Sequence, residues 1–144
     1  KESNIAFIAM WFKPTNLLKT LDSEIEGAIR EAGYNPLRID KYEHNTLIVD
    51  EIIAKIKTSN FLIADLTGNR GSVYFEAGYA MGFGIPVIFT CRDTKTEGNE
   101  NDFNNLSFDV NHYKFILWSD PLKDNLRERI KNRILATIGQ GNNI

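Results

Sequence analysis

Apolar and polar positions follow two rhythms along the chain. Ile5 to Met10, Phe61 to Ala64 and Val87 to Thr90 are short unbroken apolar runs, the pattern of strands buried on both faces. Between the first two runs, apolar residues recur every three to four positions. Leu17, Leu18, Leu21, Ile25, Ala28 and Ile29 predict a helix from about Thr15 to Ala32, closed by Gly33. Ile48 or Val49, Ile52, Ile53 and Ile56 predict a second helix, capped by Asn45 or Thr46 and ending near Thr58. Tyr34 to Asp40 reads as a strand near a sheet edge, where the missing donor of Pro36 is tolerated. Lys114 to Trp118 is a last strand. Ser119-Asp120-Pro121 then opens a helix carrying Leu122, Leu126, Ile130, Ile134 and Ile138, ahead of a frayed tail at 139–143. Five strands alternating with helices give an α/β class: a three-layer α/β/α, doubly wound, five-stranded parallel sheet of order 2-1-3-4-5. Its switch point falls between the first and third strands.

Residues 59–90 form the centre of the pattern. The apolar run ends at Asp65, Thr67-Gly68-Asn69-Arg70-Gly71-Ser72 reads as a loop, and Ser72 is placed to cap a helix running to about Phe83. Gly84 and Pro86 stop it before the next strand. On that helix Val73, Glu76, Ala77, Ala80 and Phe83 or Gly84 share one face, so Glu76 interrupts an otherwise apolar stripe. A buried carboxylate needs partners or a cleft. Asp65 ends its strand at the same carboxyl edge, where open α/β sheets bind ligands. A plainer account has Glu76 answering the helix dipole and Asp65 capping a turn. The dipole explains an acid in the first turn but does not require it on the apolar face. Gly78 and Gly82, one turn apart, predict close approach of another backbone on the opposite side.

Composition narrows the partners. A formal charge of −2 gives no long-range attraction for nucleic acid or anionic membrane. One cysteine, Cys91, excludes an internal disulfide framework and fits a reducing cytoplasm; after a strand end, it either faces the cleft or is a bystander. The pattern holds no signal peptide and no apolar run near the length of a membrane span. Residues 1–144 are expected to form one domain, alone or within a longer protein. His44 and His112 lack metal-ligand spacing, so no metal is expected. No Gly-x-Gly-x-x-Gly follows the first strand and no Gly-Lys-Ser/Thr is present, which argues against a dinucleotide dehydrogenase, against a P-loop and for no bound cofactor. Asp40 is either a ribose ligand or an exposed turn residue. The polar stretch 91–112 has the length of a lid or other functional loop. Trp11 and Phe12, in the loop after the first strand, are either a stacking wall for a base or simple packing.

Ile63-Ala64-Asp65-Leu66-Thr67-Gly68-Asn69, Val73-Tyr74-Phe75-Glu76-Ala77-Gly78-Tyr79-Ala80 and Gly84-Ile85-Pro86-Val87-Ile88 together resemble the nucleoside 2-deoxyribosyltransferase-like family, a flavodoxin-like relative of TIR domains. Met10-Trp11-Phe12 resembles the family's opening segment. Leu106 to Val110 with His112-Tyr113 resembles a later one, so the likeness spans the chain.

The resemblance implies that Glu76 is a nucleophile at the anomeric carbon of a nucleoside or nucleotide, and that Asp65 serves the sugar hydroxyls or proton transfer to the leaving base. It makes Phe7, Met10, Trp11, Phe12, Thr67, Gly68, Asn69, Arg70 and Ser72 substrate-binding candidates. Three departures bear on chemistry. Phe7 stands where the transferases carry a tyrosine, Met10-Trp11 replaces a small glycine-containing turn, and Arg70-Gly71-Ser72 replaces Asn-Pro-Asn. Arg70 is either an exposed loop residue or a phosphate ligand at a helix start. The expectation is an N-glycosidase-type enzyme acting on a nucleotide, with NAD a candidate by its TIR relatives, and a homo-oligomeric assembly as in many relatives. The alternatives are a non-catalytic TIR-like module that senses nucleotides or self-associates, as in bacterial defence, and a scaffold with a vestigial pocket.

Overall fold

Alternating side chains divide the interior into two cores, one on each side of a single sheet. The computed structural model describes residues 3–11, 15–39, 48–93, 103, 106, 113–119, 122 and 125–143. Strands β1 (Ile5–Ala9), β2 (Asn35–Leu37), β3 (Phe61–Asp65), β4 (Val87–Arg92) and β5 (Ile116–Trp118) alternate with helices α1 (Asn16–Glu31), α2 (Ile48–Thr58), α3 (Gly71–Gly82) and α4 (Leu126–Thr137). Every strand pair is parallel, and the order β2-β1-β3-β4-β5 is the flavodoxin-like one expected.

Ala6, Ile8, Phe61, Ile63, Ile88, Ile116 and Trp118 meet α1 and α4 on one side. Phe7, Ala9, Leu62, Ala64, Phe89 and Cys91 meet α2 and α3 on the other. Cys91 is thus buried core, not cleft. The α1 boundaries follow from local chemistry. Thr15 Oγ1 accepts a hydrogen bond from the Leu18 N–H at 3.2 Å. Gly33 at φ +96 ends the helix, with the Tyr34 N–H reaching the Ile29 carbonyl at 3.0 Å.

Several boundaries differ from the sequence reading. β2 pairs with β1 through only three residues at the edge, while β4 runs two residues past Thr90. The cap of α3 is Arg70, not Ser72, because the Val73 and Tyr74 amides already bond to the Arg70 carbonyl; Ser72 lies in the first turn. Helix α4 starts at Leu126, after Asn125 adopts a left-handed φ of 52°, so Leu122 packs on the core from outside the helix. Val49 is exposed. A Cβ built on Gly78 or Gly82 meets nothing within 4 Å, so no backbone of the described chain approaches there.

The tail is tied down rather than frayed. The Gly141 N–H donates to the Ala32 carbonyl (2.8 Å) and the Asn143 N–H to Gly33 (3.0 Å), while the Asn142 N–H donates to Asn4 Oδ1 (2.9 Å). Gly33 and Gly141 pass so closely that a Cβ on either would overlap the other's carbonyl. Asn45, Thr46, Asp40, His44, His112, Ser119's successors Asp120 and Pro121, and nearly all of the 94–112 stretch lie outside the described residues. Among the described residues no helix is long and apolar enough to cross a membrane.

Candidate active site at the carboxyl edge of the sheet

Positions 61, 63 and 65 share one face of β3, so Asp65 points toward the α1/α4 core and is 1% exposed there. Three donors meet its carboxylate: the Thr67 N–H on Oδ1 (3.0 Å), the Thr90 hydroxyl on Oδ2 (2.5 Å) and the Trp118 indole N–H on Oδ2 (2.8 Å). Burial pushes its pKa up, and the bonds from Thr67, Thr90 and Trp118 oppose that rise. The pairing of β3 with β4 then continues beyond the strand. The Leu66 N–H donates to the Thr90 carbonyl (2.9 Å) and the Arg92 N–H donates to Thr67 Oγ1 (3.0 Å). Thr90 and Trp118 are the participants that sequence reasoning missed. They lie 25 and 53 residues from Asp65. Only strand parity, with 65, 90 and 118 on one face, signals them.

The held loop then turns sharply. Gly68 has φ +85 and Asn69 φ 52, and the Asn69 N–H donates to the Leu66 carbonyl at 3.0 Å. A side chain at Gly68 would collide with the Trp11 ring, so this glycine is needed for the indole to lie on the loop. The Arg70 guanidinium sits 5.5 Å from the centre of the Trp11 ring, within cation–π range. Trp11 is half-buried and also packs against the α1/α4 core. The structure therefore brings Trp11, Gly68 and Arg70 together.

Glu76 occupies the second turn of α3 on the side that faces the sheet and is 2% exposed. It shares that helix face with Val73, Ala77 and Ala80, whose core also contains Phe7, Ala9 and Ala64. Phe7 therefore contributes to the same layer as Glu76. Met10 is buried in the opposite core, Thr67 is buried in the loop, and Ser72 is exposed. Asp65 and Glu76 thus belong to one edge but to opposite faces of the sheet. Phe12 lies outside the described residues. Among the described residues no three His, Cys, Asp or Glu side chains gather as metal ligands would.

The sequence model of the nucleoside 2-deoxyribosyltransferases matches residues 13–111, more than half of the chain and the whole of the loop and helix just described. The chain belongs to that family. The fold agrees. A 2-deoxyribosyltransferase from the psychrotolerant bacterium Bacillus psychrosaccharolyticus superposes with a TM-score of 0.59 at 16% identity, over 97% of this chain and 99% of that one. A TIR domain of the RPS4 and RRS1 heterodimer gives 0.55 at 17% identity, over 95% and 99%. A pilus assembly-related protein from Burkholderia pseudomallei K96243 gives 0.53 at 11%, over 96% and 95%. At such identities these likenesses speak for the fold, which the deoxyribosyltransferase family thus shares with TIR domains. No curated protein sequence matches the chain.

Proposed function

We propose that this member of the deoxyribosyltransferase family cleaves, or transfers at, the N-glycosidic bond of a nucleotide with Glu76 as nucleophile. The observation that carries the reading is a carboxylate 2% exposed on the apolar face of α3, one helix turn past the carboxyl-edge loop. A nucleophile held away from bulk water is suited to an oxocarbenium-like transition state. In the reaction a Glu76 oxygen bonds to the anomeric carbon, and the carbon–nitrogen bond breaks with its electron pair leaving on the base; a purine or pyrimidine takes up a proton as it leaves, whereas the cationic nicotinamide of NAD leaves neutral without one. Water, or a second base, then displaces the ester at the same carbon and restores the carboxylate.

The other candidates take supporting roles. Arg70 and Ser72, at the start of α3, contact a phosphate, and Trp11 with Phe12 forms the wall beside the base. Thr67, Gly68 and Asn69 line the entrance, with Phe7 and Met10 packed behind. Asp65 acts by holding the Thr67–Arg70 loop, since its carboxylate already accepts bonds from Thr67, Thr90 and Trp118. NAD is one nucleotide of the right class. We take the working form to be a cytoplasmic homo-oligomer.

The test is chromatography of reactions with NAD and with ribo- and deoxynucleotides, run beside Glu76→Gln. Release of free base or nicotinamide should fall by roughly 10³-fold or more in the variant. No release by the wild type, with one nucleotide raising the melting temperature, would instead identify a nucleotide sensor, the role the TIR-like fold also accommodates.

A further inference from the structure

At the carboxyl edge, β3, β4 and β5 are joined by side chains as well as by the sheet. Asp65, Thr90 and Ile116 lie side by side on the three strands. Trp118 stands one same-face step beyond Ile116, beside Arg92. Because β4 lies between β3 and β5, about 10 Å of sheet separates the outer two. The Trp118 indole crosses that gap and brings an N–H to Asp65 Oδ2 at 2.8 Å while staying buried. An indole is large and apolar with a donor on its rim, so it can fill the core and still reach a polar partner. The Thr90 hydroxyl, on the strand between, donates to the same oxygen.

These bonds close into a circuit. The Trp118 carbonyl accepts the Asp93 N–H at 2.7 Å. The amide before it, that of Arg92, donates to Thr67 Oγ1, and the Thr67 N–H donates to Asp65 Oδ1, whose other oxygen returns to Trp118. From Thr67 onward the chain has little freedom before α3. The Asn69 N–H is bonded to the Leu66 carbonyl, Gly68 lies against the Trp11 ring, and the Arg70 carbonyl accepts the Val73 and Tyr74 amides. The orientation of the Thr67 amide is therefore passed on to the first turn of α3, and Glu76 stands in the second.

Stability alone does not require this arrangement. Position 65 faces an apolar core, where a well-packed hydrophobic side chain generally serves as well as a buried carboxylate with its donors. What directed bonds add is one fixed geometry, at the edge where open α/β sheets bind ligands. We propose that Thr90 and Trp118 are positioning residues for the candidate site: acting through Asp65, they set the Thr67–Arg70 turn and, with it, the placement of Glu76. The consequence for turnover rests on the glycosidase reading above, whereas the positioning itself is a property of the fold.

Trp118→Phe and Thr90→Val each delete one donor and keep most of the side-chain shape. Both should lower kcat about tenfold or more and leave KM within about threefold of the wild type. The buried Glu76 cannot readjust to a shifted helix, whereas the long, exposed Arg70 side chain can follow a phosphate. In an Asp65→Asn background either change should cost less than about twofold more, since both act through that carboxylate. Gly33→Ala, which strains the opposite edge of the sheet, should leave kcat and KM unchanged. In nitrogen–proton correlation spectra Thr90→Val, which alters no ring, should shift the amide signals of Thr67 to Arg70 and of Glu76 and spare those of the amino edge. Wild-type kcat in both variants, an equal loss in Gly33→Ala, or unmoved Thr67–Arg70 signals would overturn the proposal. A wild type that releases no base would remove the glycosidase reading alone, and the spectra would still decide the positioning.

Discussion

Asp65 carries the densest chemistry of any single residue described. An ionised carboxylate removed from water is expensive unless donors surround it, and here an amide, a hydroxyl and an indole do so. Removing one donor leaves the rest of the group under-satisfied. Trp118→Phe keeps the ring and deletes the N–H, so it should lower stability by about 1.5–3 kcal/mol, read as a shifted urea midpoint with unchanged slope. Asp22 offers a pH test at the same scale. Desolvation, joined by a hydrogen bond and like charge from Glu26, raises its pKa to about 6 despite the Arg38 ion pair at 3.1 Å. A carboxyl raised in the folded state favours folding while protonated. Its contribution is full below the unfolded value near pH 4 and is lost as pH rises to about 6. Denaturation midpoints should therefore step down across that window, and Asp22→Asn should flatten the step. Glu26 is a one-turn neighbour of Asp22 on α1, but the partners of Asp65 are not legible locally. Asp65 stands out in the sequence as the end of an apolar run, but Thr90 and Trp118 come to it through strand register.

At the scale of elements, periodicity revealed what packing enforces and missed what single turns decide. The heptad-like spacing of α1 and the unbroken apolar runs of β1, β3 and β4 translate directly into the two cores. The start of α4 does not, because Leu122 fits the helical spacing while the left-handed turn at Asn125 delays the helix to Leu126. Ser72 is a good capping residue in the wrong place, one residue inside a helix that the Arg70 carbonyl has already begun. Gly78 and Gly82 suggest close approach of another backbone, yet nothing among the described residues comes near either of them. Glycine inside an exposed helix costs about 0.5–1 kcal/mol relative to alanine. Gly78→Ala should therefore stabilise the isolated monomer by that amount in thermal melts at low concentration.

The whole molecule keeps its chain ends and its candidate site at opposite edges of the sheet. Asn4, Gly33 and the Gly141–Asn143 segment meet at the amino edge, while Asp65, Thr67 and the start of α3 stand at the carboxyl edge. Gly33→Ala introduces a Cβ at φ +96 into the Gly141 carbonyl, so it should cost about 1–3 kcal/mol by calorimetry while leaving substrate binding unchanged. The layered architecture was legible from the chain, as was the motif on which Glu76 sits. The clasped tail was not, since Gly-Gln-Gly-Asn-Asn has the composition of a loose end and only tertiary contacts hold it. The bond from the Arg92 amide to Thr67 Oγ1, with the Thr67 amide on Asp65, has a consequence for motion. Loops around a sheet's edge ordinarily exchange their amide hydrogens within minutes, through small local openings. Here the Leu66 and Arg92 amides have no such route, because freeing them means parting β3 from β4, and the Thr67 amide is held by a carboxylate that Thr90 and Trp118 fix in place. Their deuterium uptake should be as slow as that of the central strands, which makes this rim the rigid side of the candidate site.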